Sequence, residues 1–145
     1  MQTKVLIVED EFAIAMDIEG RLKDLGYQVI GIAVSYEKAL PFLLEKEIDV
    51  ILLDINLEAD KSGIDLGHLI LEKFRIPIVF LTAYSDQETF DKAAQAEPMG
   101  FINKPIKDSD LNYALQLAVR RFQPNASQKR KTANQEAISL SLIHI

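Results

Sequence analysis

The sequence predicts an α/β fold, a flavodoxin-like doubly wound (βα)5 three-layer sandwich whose parallel sheet has the order 2-1-3-4-5. Two observations carry that expectation. Short apolar, β-branched runs alternate five times with stretches of helical period. The central run, "DVILLD", is apolar on both pleat faces, as a strand covered by helices on both sides must be.

The runs are "KVLIV" (4–8), "QVIGIAV" (28–34), "DVILLD" (49–54), "PIVFLT" (77–82) and "GFIN" (100–103). Helices are expected between and after them, at about 11–24, 36–46, 63–73, 86–95 and 109–122. In the first helix Ile14, Ile18, Leu22 and Leu25 keep helical spacing, and Gly26 supplies a stop. In the last, Leu111, Leu115 and Ala118, with Ala114 and Val119, form an apolar stripe after Asp108 or Ser109 as N-cap.

Composition narrows the class. A chain of 145 residues, 48% hydrophobic and 26% charged, suits one domain with a single core. There are no cysteines, which excludes a disulfide scaffold and thiolate metal sites. No run approaches the roughly 20 apolar residues of a membrane span. "MQTKVLIVEDE" meets acids too early for a signal peptide, so a cytoplasmic location is expected. Lys129, Arg130 and Lys131 against Glu136 give residues 124–145 a net charge of +2, which leaves −8 of the total −6 on residues 1–123. An acidic body is not expected to bind nucleic acid, and it suits cations or basic protein surfaces.

The pattern breaks after Phe122. Residues 1–123 are read as the domain and 124–145 as a linker or tail. "QPNASQKRKTANQ" is polar and contains Pro124, whereas "ISLSLIHI" (138–145) alternates like a strand. The tail reads either as the start of a truncated output domain or as an added or edge-pairing segment.

The strand ends hold the chemistry. The first ends in Glu9, Asp10 and Glu11, the third in Asp54, the fourth in Thr82 and Ala83, and the fifth in Lys104 and Pro105. In a 2-1-3-4-5 sheet these ends are neighbours at the carboxyl edge, where such folds bind ligands. Singly, each has a plain reading: acids as N-caps, Asp54 as a turn former, Thr82 satisfied locally, Lys104 on the surface. Together they describe one mechanism. Clustered carboxylates repel, and a hard divalent cation relaxes them; Mg²⁺ fits, with Mn²⁺ as the alternative. A carboxylate beside that cation can attack phosphorus and become an aspartyl phosphate. Asp54 is then the nucleophile, Asp10 a direct ligand, Glu9 a ligand or water-mediated holder, and Asn56 a backbone-carbonyl ligand. Thr82 and Lys104 would take the phosphoryl oxygens.

The motifs "VLIVEDE", "VILLDINL", "PIVFLTAYSD" and "GFINKPI" make residues 3–122 resemble the receiver domains of two-component response regulators. The resemblance implies phosphorylation of Asp54 by a histidine kinase or histidine phosphotransfer protein. It also implies a signalling domain that catalyses only its own phosphorylation and dephosphorylation. Thr82 would move toward the phosphoryl group and Phe101 would turn inward, changing the face made by helix 4, strand 5 and helix 5. That face is the expected homodimer contact, with Asn112, Gln116, Arg120 and Arg121 directed outward. Lys104–Pro105 is a candidate cis peptide.

Some residues depart from the common pattern. The acidic pair is Glu-Asp, "INLEADKSGID" replaces a short Met-Pro turn, and Phe101 lacks a tyrosine hydroxyl. Tyr84, with Ala83, is expected to cover the site and slow water, and the Asn56 side chain could instead orient that water. His68 is expected on the third helix as a boundary residue. Three other functions compete with this reading. A haloacid-dehalogenase-type phosphotransferase would need an acid where Asn56 stands. A dinucleotide module would need a glycine-rich turn where "VEDEFA" stands. A phosphorylation-independent α/β interaction domain would not need the full residue set.

Overall fold

A computed structural model describes residues 2–57, 62–83 and 87–122. Five parallel strands, β1 (Lys4–Val8), β2 (Gln28–Ala33), β3 (Val50–Asp54), β4 (Ile78–Thr82) and β5 (Gly100–Asn103), pair in the order β2-β1-β3-β4-β5. The helices are α1 (Phe12–Asp24), α2 (Tyr36–Glu45), α3 (Gly63–Leu69), α4 (Gln87–Ala94) and α5 (Asp108–Arg121). The expected fold class is therefore the observed one.

The alternation of strand side chains builds two cores. Ile51 and Leu53 of β3 pack with Leu43, Leu66, Ile70, Phe80 and Ala93 under α2, α3 and α4. Val50 and Leu52 pack with Ile18, Leu22, Leu111 and Leu115 under α1 and α5. The two-residue period assigns Asp54 to the second face, toward α1 and the start of α5.

Several local readings change. Helix 3 was expected as one helix over 63–73, but α3 passes into a π-helical turn, Ile70–Phe74. The turn closes with Arg75 N–H donating to the Ile70 carbonyl (2.7 Å), and left-handed Arg75 (φ 55°) ends it. Both Ile70 and Phe74 stay buried through the wider turn. The expected Asp108 or Ser109 cap of α5 is not observed. Lys107 is the cap residue and makes no side-chain cap bond, whereas Asp108 accepts a hydrogen bond from Arg21 of α1 at 2.7 Å. Val119 lies outside the α5 stripe, 38% exposed. Asn112 is not directed wholly outward: it is half-buried and its Oδ1 accepts from the Tyr27 hydroxyl at 2.8 Å. Gln116, Arg120 and Arg121 are exposed as expected, and His68 is half-buried on α3. Gly26 stops α1 with φ 94°, a value that glycine adopts without strain. No helix among the described residues is long and apolar enough to cross a membrane.

Candidate active site at the carboxyl edge of the sheet

Backbone bonds bring the strand ends together. The Glu9 amide donates to the Ala33 carbonyl (3.0 Å), Ile55 to Leu81 (3.1 Å), and Lys104 to Thr82 (2.8 Å). The sheet ladder thus extends one residue past β1, β3 and β5, and it fixes where Glu9, Asp54 and Lys104 begin. Glu11 occupies the N-cap of α1 without a side-chain cap bond.

Carboxylate oxygens of Glu9, Asp10 and Asp54 lie within 4.8 Å of one another. Glu9 and Asp54 are buried and Asp10 half-buried. The Lys104 ammonium reaches both oxygens of Glu9 (3.2 and 3.3 Å) and Oδ2 of Asp54 (3.2 Å). The other Asp54 oxygen, Oδ1, accepts from the Asn56 amide at 2.9 Å. Asn56 is exposed just past the strand end, and the Lys104–Pro105 peptide is cis. Thr82 is 6% exposed, and its hydroxyl has no hydrogen-bond partner among the described residues. A buried hydroxyl in that state is costly unless a ligand completes it.

Burial, and then the bonding and charge of Asp54, push the Glu9 carboxyl up to about 8; Lys104 opposes this only in part. For Lys104 itself burial acts downward, but the charges of Asp54 and Glu9 outweigh it and the ammonium is held above its usual value. A buried Glu9 carboxyl that keeps its proton beside two further oxygen donors suits a hard cation. Between about pH 4.5 and 8 the folded chain holds a Glu9 proton that the unfolded chain releases, so this group makes stability fall as pH rises. Urea unfolding in a chelator at roughly pH 6 and 8 should show that fall, and Glu9→Gln should flatten it. A steeper fall in the Glu9→Gln variant would contradict the assignment.

Phe101 is half-buried, stacked on Phe80 (centroids 5.8 Å) and against Phe90 of α4 (4.8 Å). Ala83 is exposed directly after Thr82. Tyr84 and the 124–145 tail lie outside the described residues.

Sequence reasoning passed over Gly63, the first residue of α3. A Cβ there would collide with the Asp54 carbonyl oxygen, and the Gly63 amide donates to Ile55 O at 3.1 Å. The only signal was "SG" before a helical pattern, which reads as ordinary turn chemistry.

Residues 5–116 match the family model of the response regulator receiver domain. The chain belongs to that family. This receiver domain is 35% identical over 135 residues to the phyllosphere-induced regulator PhyR of Methylorubrum extorquens, covering 92% of this chain and 49% of PhyR. It is 36% identical over 119 residues to the transcriptional regulatory protein PdtaR of Mycobacterium tuberculosis, covering 82% and 58%. The chain thus spans about half the length of the curated relatives it matches. Among solved structures it resembles the signal receiver domain of a modulated diguanylate cyclase from Desulfovibrio desulfuricans G20 (TM-score 0.79, 30% identity, 83% of this chain and 96% of that one). It also resembles the receiver domain of sensor histidine kinase PA1611 from Pseudomonas aeruginosa PAO1 (TM-score 0.73, 28% identity, 82% and 98%). That domain carries a magnesium ion coordinated in its active-site cleft.

Proposed function

We propose that this receiver domain accepts a phosphoryl group on Asp54 from a histidine kinase or a histidine phosphotransfer protein. The observation that carries the proposal is the juxtaposition at one sheet edge: a buried Asp54, the Lys104 ammonium at 3.2 Å and a Thr82 hydroxyl with no partner among the described residues. An Asp54 oxygen attacks phosphorus, and a P–O bond forms as the donor's P–N bond breaks. The Asn56 amide holds Oδ1, which leaves Oδ2, now paired with Lys104, as the attacking atom. Lys104 then turns to the phosphoryl oxygens, and the Thr82 hydroxyl gains the partner it lacks.

Glu9, Asp10 and Asp54 would hold Mg²⁺, or Mn²⁺ in its place, together with the Asn56 carbonyl. When bound, the cation neutralises the acidic cluster and the incoming phosphoryl charge. Because Glu9 must lose its proton to ligate, Mg²⁺ affinity rises toward about pH 8.

The output is a switch and not metabolic turnover. Thr82 moves toward the phosphoryl group and Phe101 turns inward from the Phe80 and Phe90 rings, altering the α4–β5–α5 face for a partner or a second copy. Residues 1–123 form the phosphoacceptor unit of a cytoplasmic signalling protein with no nucleic-acid contact of their own, and 124–145 is a linker or tail. The test is acetyl phosphate with Mg²⁺, read by intact mass and by peptide mapping. One phosphoryl group on Asp54 is expected, and none in chelator. No mass gain with Mg²⁺ present would end the reading.

A further inference from the structure

We infer that the first turn of α3, seated on the backbone through Gly63, is a positioning element for Asp54. The inference rests on Asp54 being the phosphoryl acceptor, but it concerns what holds that residue in place. Gly63 is buried and lies outside the left-handed region, so its backbone conformation does not demand glycine. Room does: an added Cβ would run into the Asp54 carbonyl oxygen and come within 2.9 Å of the Asp54 carbonyl carbon and 3.0 Å of Ile55 Cα. Backbone atoms cannot swing aside as a side-chain tip can. Either α3 lifts off or the end of β3 moves.

Three hydrogen bonds fix the seat. The Gly63 amide donates to Ile55 O at 3.1 Å, tying the helix start to the residue that follows Asp54. A reciprocal cap holds the turn: the Asp65 amide donates to Ser62 Oγ (3.2 Å) and the Ser62 amide donates to Asp65 Oδ2 (2.9 Å). Asp54 Oδ1 is bound by the Asn56 amide, two residues along the same stretch of chain. Movement of this backbone therefore rotates the Asp54 carboxylate relative to Glu9, Asp10 and Lys104. A reacting group needs placement to within about 0.5 Å.

Gly67 provides the comparison. It is also buried on α3, and a Cβ there would meet Phe80 at 3.0 Å and Ala96 at 3.2 Å, side chains of the core rather than the Asp54 backbone. Gly63→Ala and Gly67→Ala should both lower stability. Only Gly63→Ala should shift the Asn56 amide resonance in a ¹⁵N spectrum without phosphodonor. Only Gly63→Ala should slow uptake from acetyl phosphate, by at least about tenfold, since a misplacement near 1 Å costs on the order of 10²-fold. A folded Gly63→Ala protein with the wild-type Asn56 resonance and uptake rate would overturn the inference, as would equal effects of the two variants. If Gly63→Ala does not fold, the double variant Ser62→Ala/Asp65→Ala loosens the same turn without a clash. It should move the Asn56 resonance and slow uptake, and an unchanged resonance and rate would overturn the inference. The Asn56 resonance reads Asp54 placement even if the wild-type chain takes no phosphoryl group, so failure of the chemistry and failure of the positioning are told apart.

Discussion

Asp54→Asn is expected to abolish phosphoryl uptake from acetyl phosphate, leaving no mass gain under conditions that fully modify the parent chain. The substitution keeps the shape and the oxygen that accepts the Asn56 amide bond at 2.9 Å. It removes the negative charge that makes the other oxygen a nucleophile, and an amide oxygen does not replace it. The same change removes the Asp54 charge and hydrogen bonding that help to raise the Glu9 carboxyl, so Glu9 should titrate lower in the variant. Carbon-detected titration of the Glu9 side chain would check that second result. An Asp54→Asn protein that still gained a phosphoryl group would transfer the role to another residue.

The second large effect is on stability. Lys104→Met should weaken the cation-free fold by about 2–4 kcal/mol near pH 8, somewhat below the range for removing one partner of a fully buried ion pair. Lys104 is 17% exposed, while Glu9 and Asp54 are buried at 0% and 5% side-chain exposure. Without the ammonium the Asp54 carboxylate and the buried Glu9 carboxyl face each other with no protein cation bridging both among the described residues. Lys104 is one of the groups that pull the Glu9 carboxyl down, so without it Glu9 keeps its proton to still higher pH. The deficit should hold nearly constant from about pH 6 to 8 and widen above about pH 8, where only the parent chain releases that proton. Mg²⁺ should restore part of the loss, because it supplies charge to the same oxygens. Urea unfolding at about pH 6, 8 and 9, with and without Mg²⁺, measures all of this. A deficit that did not widen above about pH 8 would mean that Lys104 contributes by packing alone.

Much of the carboxyl edge was legible because a parallel sheet turns chain order into spatial order. Once the runs ending at Val8, Asp54, Thr82 and Asn103 are strands of a 2-1-3-4-5 sheet, Glu9, Asp54 and Lys104 can hardly be far apart. The sequence did not reveal which bonds the polar groups make before any ligand arrives. Lys104 was expected on phosphoryl oxygens, yet here it spans Glu9 and Asp54. Gly63 escaped notice because its role is absence of volume against a backbone distant in register, which has no periodic signature. The α5 cap was misread for a similar reason: Asp108 would suit a local cap, but Arg21 of α1 claims its carboxylate across the fold. Competition between a local bond and one that spans 87 residues is invisible to any window along the chain.

The direction of α5 has an evolutionary consequence. It starts beside Lys104 at the chemical rim and runs 14 residues, about 21 Å at 1.5 Å per residue, to the opposite rim. Sequence joined after Phe122 is thus grafted at the pole remote from Asp54. Exchange of whatever is attached there leaves the acid cluster, Thr82 and Lys104 untouched, so one chemical head can be inherited intact while its attachments diversify.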